Sequence, residues 1–135
     1  MKIKFRAWDK ELKKMFKVTC LDFSDWWVQC ERPIDAPREN GNAFYGERNS
    51  FNNEETDRHI LMQYTGSTDD KGIEIYDGDI VKCLGNEDDE YTSTVKYGDG
   101  AFGIDVNGCD YDFTAIGWAI DSSIEGIEVI GNIYE

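Results

Sequence analysis

Ile73-Glu74-Ile75-Tyr76-Asp77-Gly78-Asp79-Ile80-Val81-Lys82-Cys83-Leu84 sets two short runs of branched apolar residues on either side of one Asp-Gly corner. In such runs successive side chains point to opposite faces of a strand, and Ile and Val fit that pleated surface. Gly78 supplies the positive φ that a two-residue hairpin or a bulge demands. The same pattern extends in both directions. Upstream, His59-Ile60-Leu61-Met62-Gln63-Tyr64-Thr65 leads to Gly66 and a polar turn through Asp69-Asp70-Lys71-Gly72. Downstream, residues 91–97 alternate, Gly98-Asp99-Gly100 turns the chain into residues 101–106, and Asn107-Gly108 carries a type I′ turn signal. Residues 110–124 have room for one short helical turn, and residues 127–134 read as a last strand.

The N-terminus obeys the same period. Ile3, Phe5 and Ala7 alternate with Lys4, Arg6 and Trp8, Asp9-Lys10-Glu11 suits a turn, and Met15-Phe16-Lys17-Val18-Thr19-Cys20-Leu21 reads as the returning strand. Trp26-Trp27-Val28-Gln29-Cys30 gives a third. Residues 33–58 break the pattern, with Pro33, Pro37, Gly41, Gly46 and an Asn-rich run, and read as an irregular loop or an insertion. No window sustains a 3.6-residue period. The expected fold is mainly β, or a β-rich α+β arrangement, with short antiparallel strands forming a small SH3-like barrel or sandwich and at most short helices. A chain of 135 residues predicts a single domain, 1–135, with N-terminal strands as a hairpin layer over 1–30 and a barrel-like part over 60–135.

Charge narrows the function classes. Hydrophobic residues at 40% provide for a core, while 28 acidic against 14 basic side chains leave a net charge of −14. That balance opposes non-specific attraction to phosphates, so no direct nucleic-acid binding is expected. No apolar stretch approaches the roughly 20 residues that cross a bilayer, so no membrane association is expected and a cytoplasmic protein is. The charge is polarised along the chain. Lys2, Lys4, Arg6, Lys10, Lys13, Lys14 and Lys17 face only Asp9 and Glu11 at the start, whereas after Lys96 there is no Lys or Arg at all. Pairing of the basic start with the acidic second half, within one chain or between copies, would relieve the repulsion.

Signals for chemistry are sparse. Cys20, Cys30, Cys83 and Cys109 are too widely spaced for a CxxC clamp and read as buried thiols. His59 has no neighbouring nucleophile in sequence and reads as a polar residue entering a strand. Asp77 with Asp79, and Asp110 with Asp112, stand two apart, so on a strand each pair would share a face and could hold Mg²⁺ or Ca²⁺. Neither continues into a calcium-loop pattern. No metal, cofactor or catalytic residue is expected; the paired aspartates read as turn caps, with Asp77 and Asp79 the least unlikely ligands. Residues 87–90 read as a solvated acidic loop, and the many aromatic rings as core.

Three blocks resemble the YopX family of phage and prophage proteins. They are Lys4-Phe5-Arg6-Ala7-Trp8-Asp9; Leu61-Met62-Gln63-Tyr64-Thr65-Gly66 running on through Gly72-Ile73-Glu74-Ile75-Tyr76-Asp77-Gly78-Asp79-Ile80-Val81; and Val129-Ile130-Gly131-Asn132-Ile133-Tyr134-Glu135. Phe5, Arg6, Trp8, Tyr64, Gly66, Tyr76, Gly78, Asp79 and Gly131 carry the structural motif. The resemblance implies a β-rich protein of the host bacterial cytoplasm that self-assembles, and it carries over no catalytic residue. The expected function is a non-enzymatic accessory role through protein–protein interaction, as a homo-oligomer or with a host or phage protein. Two alternatives are an acidic DNA mimic that inhibits a host DNA-binding protein, and a divalent-metal-dependent hydrolase or nuclease built on Asp77 and Asp79.

Overall fold

The computed structural model describes residues 2–31, 49–50, 58–85, 89–108 and 112–135. The chain gathers into two compact units, one formed by Lys4–Gln63 and the other by Tyr64–Glu135 with the first residues of the chain. In the N-terminal unit, β1 (Phe5–Asp9), β2 (Lys14–Asp22), β3 (Trp27–Cys30), β4 (Asn49–Ser50) and the first half of β5 (His59–Thr68) form an antiparallel sheet in the order β4-β3-β2-β1-β5. Ala7 stands opposite both Phe16 and Leu61, so a small side chain sits between two large ones. Ala7, Phe16, Val28 and Cys30 form the buried core, with Val18, Leu21 and Leu61 packed against it.

Two turns of the same chemistry join these strands. Asp9 Oδ1 accepts the amides of Glu11 (2.9 Å) and Leu12 (3.0 Å), and Asp22 Oδ1 accepts those of Ser24 (2.8 Å) and Asp25 (3.0 Å). Each turn closes on a non-glycine residue at positive φ, Lys13 at 53° and Trp26 at 56°. Trp26 therefore belongs to the turn, and the third strand begins at Trp27.

In the second unit the remainder of β5 pairs with β6 (Glu74–Tyr76). β7 (Asp79–Leu84) and β8 (Glu90–Thr94) follow, then β9 (Lys96–Gly98), β10 (Ala101–Asp105) and β11 (Phe113–Ala115). A three-residue helix, α1 (Ile116–Trp118), runs into a π turn (Ala119–Ser123) before β12 (Gly126–Asn132). The strands make two three-stranded sheets, β12-β7-β8 and β11-β10-β9. Ile75, Val81, Cys83, Val95, Ile104, Val106, Ile116, Ala119, Ile124 and Ile127 form one buried core.

The fold is mainly β and antiparallel, as the alternation predicts, but the sheets do not close into a barrel. Val95 lies at the break between β8 and β9. Its amide donates to the carbonyl of Asp79, the first residue of β7 (2.8 Å), and its carbonyl accepts the Gly78 amide (2.9 Å), so between β8 and β9 the chain is bonded to the Asp77-Gly78 corner and the start of β7. Asp77-Gly78 is a corner, with Gly78 at φ 88°, but not a hairpin: it passes the chain from β6, which pairs with β5, to β7, which lies between β12 and β8. The type I′ geometry expected at Asn107-Gly108 falls instead between β9 and β10, where Asp99 (φ 50°) and Gly100 (φ 81°) both have positive φ and Gly98 pairs with Ala101. Asn107 lies inside a short 3-10 turn, Val106–Gly108. Gly103 on β10 is a close-approach position, since a Cβ there would collide with the Thr114 carbonyl oxygen.

Candidate functional site

The N-terminal unit buries a polar cluster at the end of β1. Asp9 is 2% exposed and His59, its ladder partner on β5, is 5% exposed. Arg58 Nε donates to both Asp9 carboxylate oxygens at 3.1 Å, Arg58 Nη2 lies 3.0 Å from Oδ2, and Nη1 reaches Glu11 Oε2 at 3.3 Å. Burial opposes the Asp9 charge, but the Arg58 hydrogen bond, the Leu12 amide and the Arg58 and His59 charges outweigh it and hold the carboxyl below its ordinary range. His59 Nε2 stands 3.4 Å from Asp9 Oδ2. Burial and the Arg58 charge pull the imidazole down more strongly than Asp9 pulls it up, so it is neutral near pH 7. The Cys30 thiol is pushed up to about 12 by burial and the Asp9 charge, which keeps it protonated and poorly nucleophilic. The cluster thus works as a buried ion pair that anchors the β1 turn to the start of β5.

A second carboxylate network lies in the other unit. Asp69, 6% exposed, accepts the amides of Lys71 (2.9 Å) and Ile73 (2.8 Å) on Oδ1 and that of Val129 (3.0 Å) on Oδ2. Asp70 Oδ2 accepts the Ile127 amide at 2.9 Å. Alternate amides along the outer edge of β12 are therefore capped by two consecutive carboxylates, and the edge is closed to further strands there. Burial raises the Asp69 pKa, but the three amides and Lys71 lower it further, for a net decrease. Lys71 Nζ also donates to Glu128 Oε1 at 2.9 Å.

The metal candidates are placed differently from a shared, open face. Asp79 is 1% exposed and its Oδ2 accepts the Tyr76 amide at 2.7 Å. Asp77 lies in the turn before it. Among the described residues no group of three or more His, Cys, Asp or Glu side chains stands close enough to hold a metal ion. Asp110, Glu87, Asp88 and Cys109 lie outside the described residues. Cys30 and Cys83 are buried, with the Cys83 thiol pushed up to about 11 by burial, while Cys20 is exposed beside a register shift in the β2–β3 ladder.

The remaining motif residues are architectural in position. Phe5, Arg6 and Trp8 lie on β1, opposite Gln63, Met62 and Ile60, and Arg6 Nη2 approaches Met62 Sδ at 3.8 Å. Tyr64 and Tyr76 pair across β5 and β6 with ring centroids 5.6 Å apart. Gly66, at φ 93°, sits in the register shift that follows. The Gly78 carbonyl accepts the Ile133 amide at 2.9 Å, and Gly131 flanks the register shift in β12.

The rings are not all core. Phe23 (61% exposed) and Trp26 (48%) meet edge to face, centroids 6.3 Å apart, on the turn between β2 and β3. Leu12 is 50% exposed on the turn at the opposite end of β2. Sequence reasoning reads the aromatic rings as core, and Phe23 and Trp26 depart from that reading. The available signal is the repeated spacing, Asp9-Lys10-Glu11-Leu12-Lys13 and Asp22-Phe23-Ser24-Asp25-Trp26, of an aspartate four residues before the positive-φ position.

Residues 4–135 match the model of the YopX protein family, and the chain belongs to that family. It is 38% identical over 85 residues to the SPbeta prophage-derived uncharacterized protein YopX of Bacillus subtilis (strain 168), a match covering 59% of this chain and 58% of that protein. The chain thus matches less than two thirds of that relative's length. The crystal structure of protein EF1440 from Enterococcus faecalis superposes with a TM-score of 0.62 at 27% identity, covering 100% of this chain and 95% of that one. The crystal structure of YopX from Bacillus subtilis gives a TM-score of 0.55 at 24% identity, covering 97% and 92%.

Proposed function

We propose that this chain is a non-enzymatic accessory protein of prophage type, active in the bacterial cytoplasm, which works by binding protein and assembles with its own copies. The observation that carries the reading is the Phe23–Trp26 ring pair held out on a structured turn, because large exposed apolar groups on a soluble surface mark contact sites. The polarised charge of the chain supports it, since opposite ends of two copies attract.

The DNA-mimic reading is weaker because it needs carboxylates presented in rows. Asp69, Asp70 and Asp79 are engaged by backbone amides, Asp105 by Lys96 and Glu128 by Lys71. The metal-dependent hydrolase reading is weaker because Asp79 is buried against Tyr76. Sedimentation velocity from low to high micromolar concentration tests the favoured reading. Self-association with rising concentration is expected, and a constant monomer over that range overturns it.

A further inference from the structure

We infer that the contact between copies is heterologous: the acidic aromatic turn of one chain, Asp22-Phe23-Ser24-Asp25-Trp26, docks on the basic turn of another, around Leu12, Lys13 and Lys14. This rests on the self-assembly reading above and specifies its interface. The two surfaces are complementary. Asp25 is exposed beside the Phe23 and Trp26 rings, while Lys13 and Lys14 are exposed beside Leu12. Glu11, the acid of the basic turn, is drawn toward Arg58, which leaves the lysines to dominate the local field.

Geometry requires the partner to be a second molecule. The turns flank β2 at its two ends, and nine extended residues at about 3.3 Å each separate them by roughly 30 Å. One chain's turn cannot reach its own complement across its own strand. Each copy therefore offers one donor surface and one acceptor surface, the arrangement that builds rings or open arrays rather than two-fold dimers.

Backbone strain at Trp26 points the same way. A φ of 56° strains a bulky side chain, and glycine would relieve that strain. The tryptophan occupies a backbone position that suits glycine, and its ring, edge to face with Phe23, is half exposed.

The test compares the full chain with charge-reversed variants by sedimentation velocity. Asp25→Lys alone, and Lys13→Glu with Lys14→Glu, each raise the dissociation constant about tenfold or more, and the chain carrying all three changes regains association. Trp26→Gly loses assembly while keeping the native circular dichroism spectrum, and it supplies the readout if a charge variant folds poorly. Self-association that persists unchanged in every variant overturns the tip-to-turn contact and leaves the self-assembly reading standing. A wild-type chain that stays monomeric overturns both.

Discussion

Replacing Asp69 by Ala removes the acceptor for three backbone amides at once, those of Lys71, Ile73 and Val129. Hydrogen bonds to a charged group each contribute about 1.5–3 kcal/mol when the alternative is an unpaired buried donor. Lys71 and Ile73 are exposed, so their amides can turn to water and account for about 1 kcal/mol each. Val129 is partly buried on β12, and its amide bears the larger loss, about 2 kcal/mol. The total is about 4 kcal/mol, a substantial part of the 5–15 kcal/mol that holds a domain of this size. Asp69→Asn keeps one acceptor oxygen and sets an NH₂ against one side of the network, so its cost is about half as large. Urea unfolding of both variants, followed by circular dichroism, measures the difference. A loss below about 1 kcal/mol in Asp69→Ala, or equal losses in the two variants, refutes the assignment of Asp69 as the clasp on the β12 edge.

The other predictions concern the same structural logic. Arg58→Ala leaves the Asp9 charge buried without its partner and costs about 3–5 kcal/mol by denaturant unfolding, and an unchanged midpoint contradicts the ion-pair reading. Because the His59 pKa is lowered in the folded state, its contribution is fully present above the unfolded value of about 6.5 and is lost as pH falls below it. His59→Gln should flatten the stability profile just below that pH, and a slope identical to wild type counts against it. Asp9 and Asp69, also lowered, contribute above about pH 4 and lose that contribution in acid, so Asp69→Asn reduces the acid sensitivity measured by pH titration of the melt. Gly103→Ala forces β10 and β11 apart at the Thr114 carbonyl and lowers the melting temperature by about 5 °C or more, whereas Gly100→Ala acts only through its positive φ.

What was legible in the sequence followed from local rules. Period-two alternation locates β1, β2, β5, β7, β10 and β12, and Gly78 and Gly100 mark corners because only a residue without Cβ turns there cheaply. The partition into sheets was not legible. Asp77-Gly78 has the sequence of a hairpin, and only the bonds from Gly78 to Val95 and Ile133, both distant in sequence, turn it into a crossing between sheets. The Asp9–Arg58 pair was hidden for a related reason: Arg58 ends a stretch without periodicity, 49 residues away, and nothing local aims it at Asp9. Exposure of Phe23 and Trp26 escapes pattern reading altogether, because alternation reports a strand's faces and not which side chains a turn lifts out of it. The acidic count overstates the charge available for binding, since Asp69, Asp70 and Asp79 are spent on amides.

Zero-length carbodiimide coupling of an equimolar mixture of ¹⁴N- and ¹⁵N-labelled chains, read by mass spectrometry, asks directly whether separate molecules meet at the two turns. The account predicts cross-linked peptide pairs joining the Asp25 carboxylate of one isotope to the Lys13 or Lys14 amine of the other. Coupling of Asp25 only within single-isotope pairs, or to no lysine of that turn in a sample that sediments as an assembly, would contradict it.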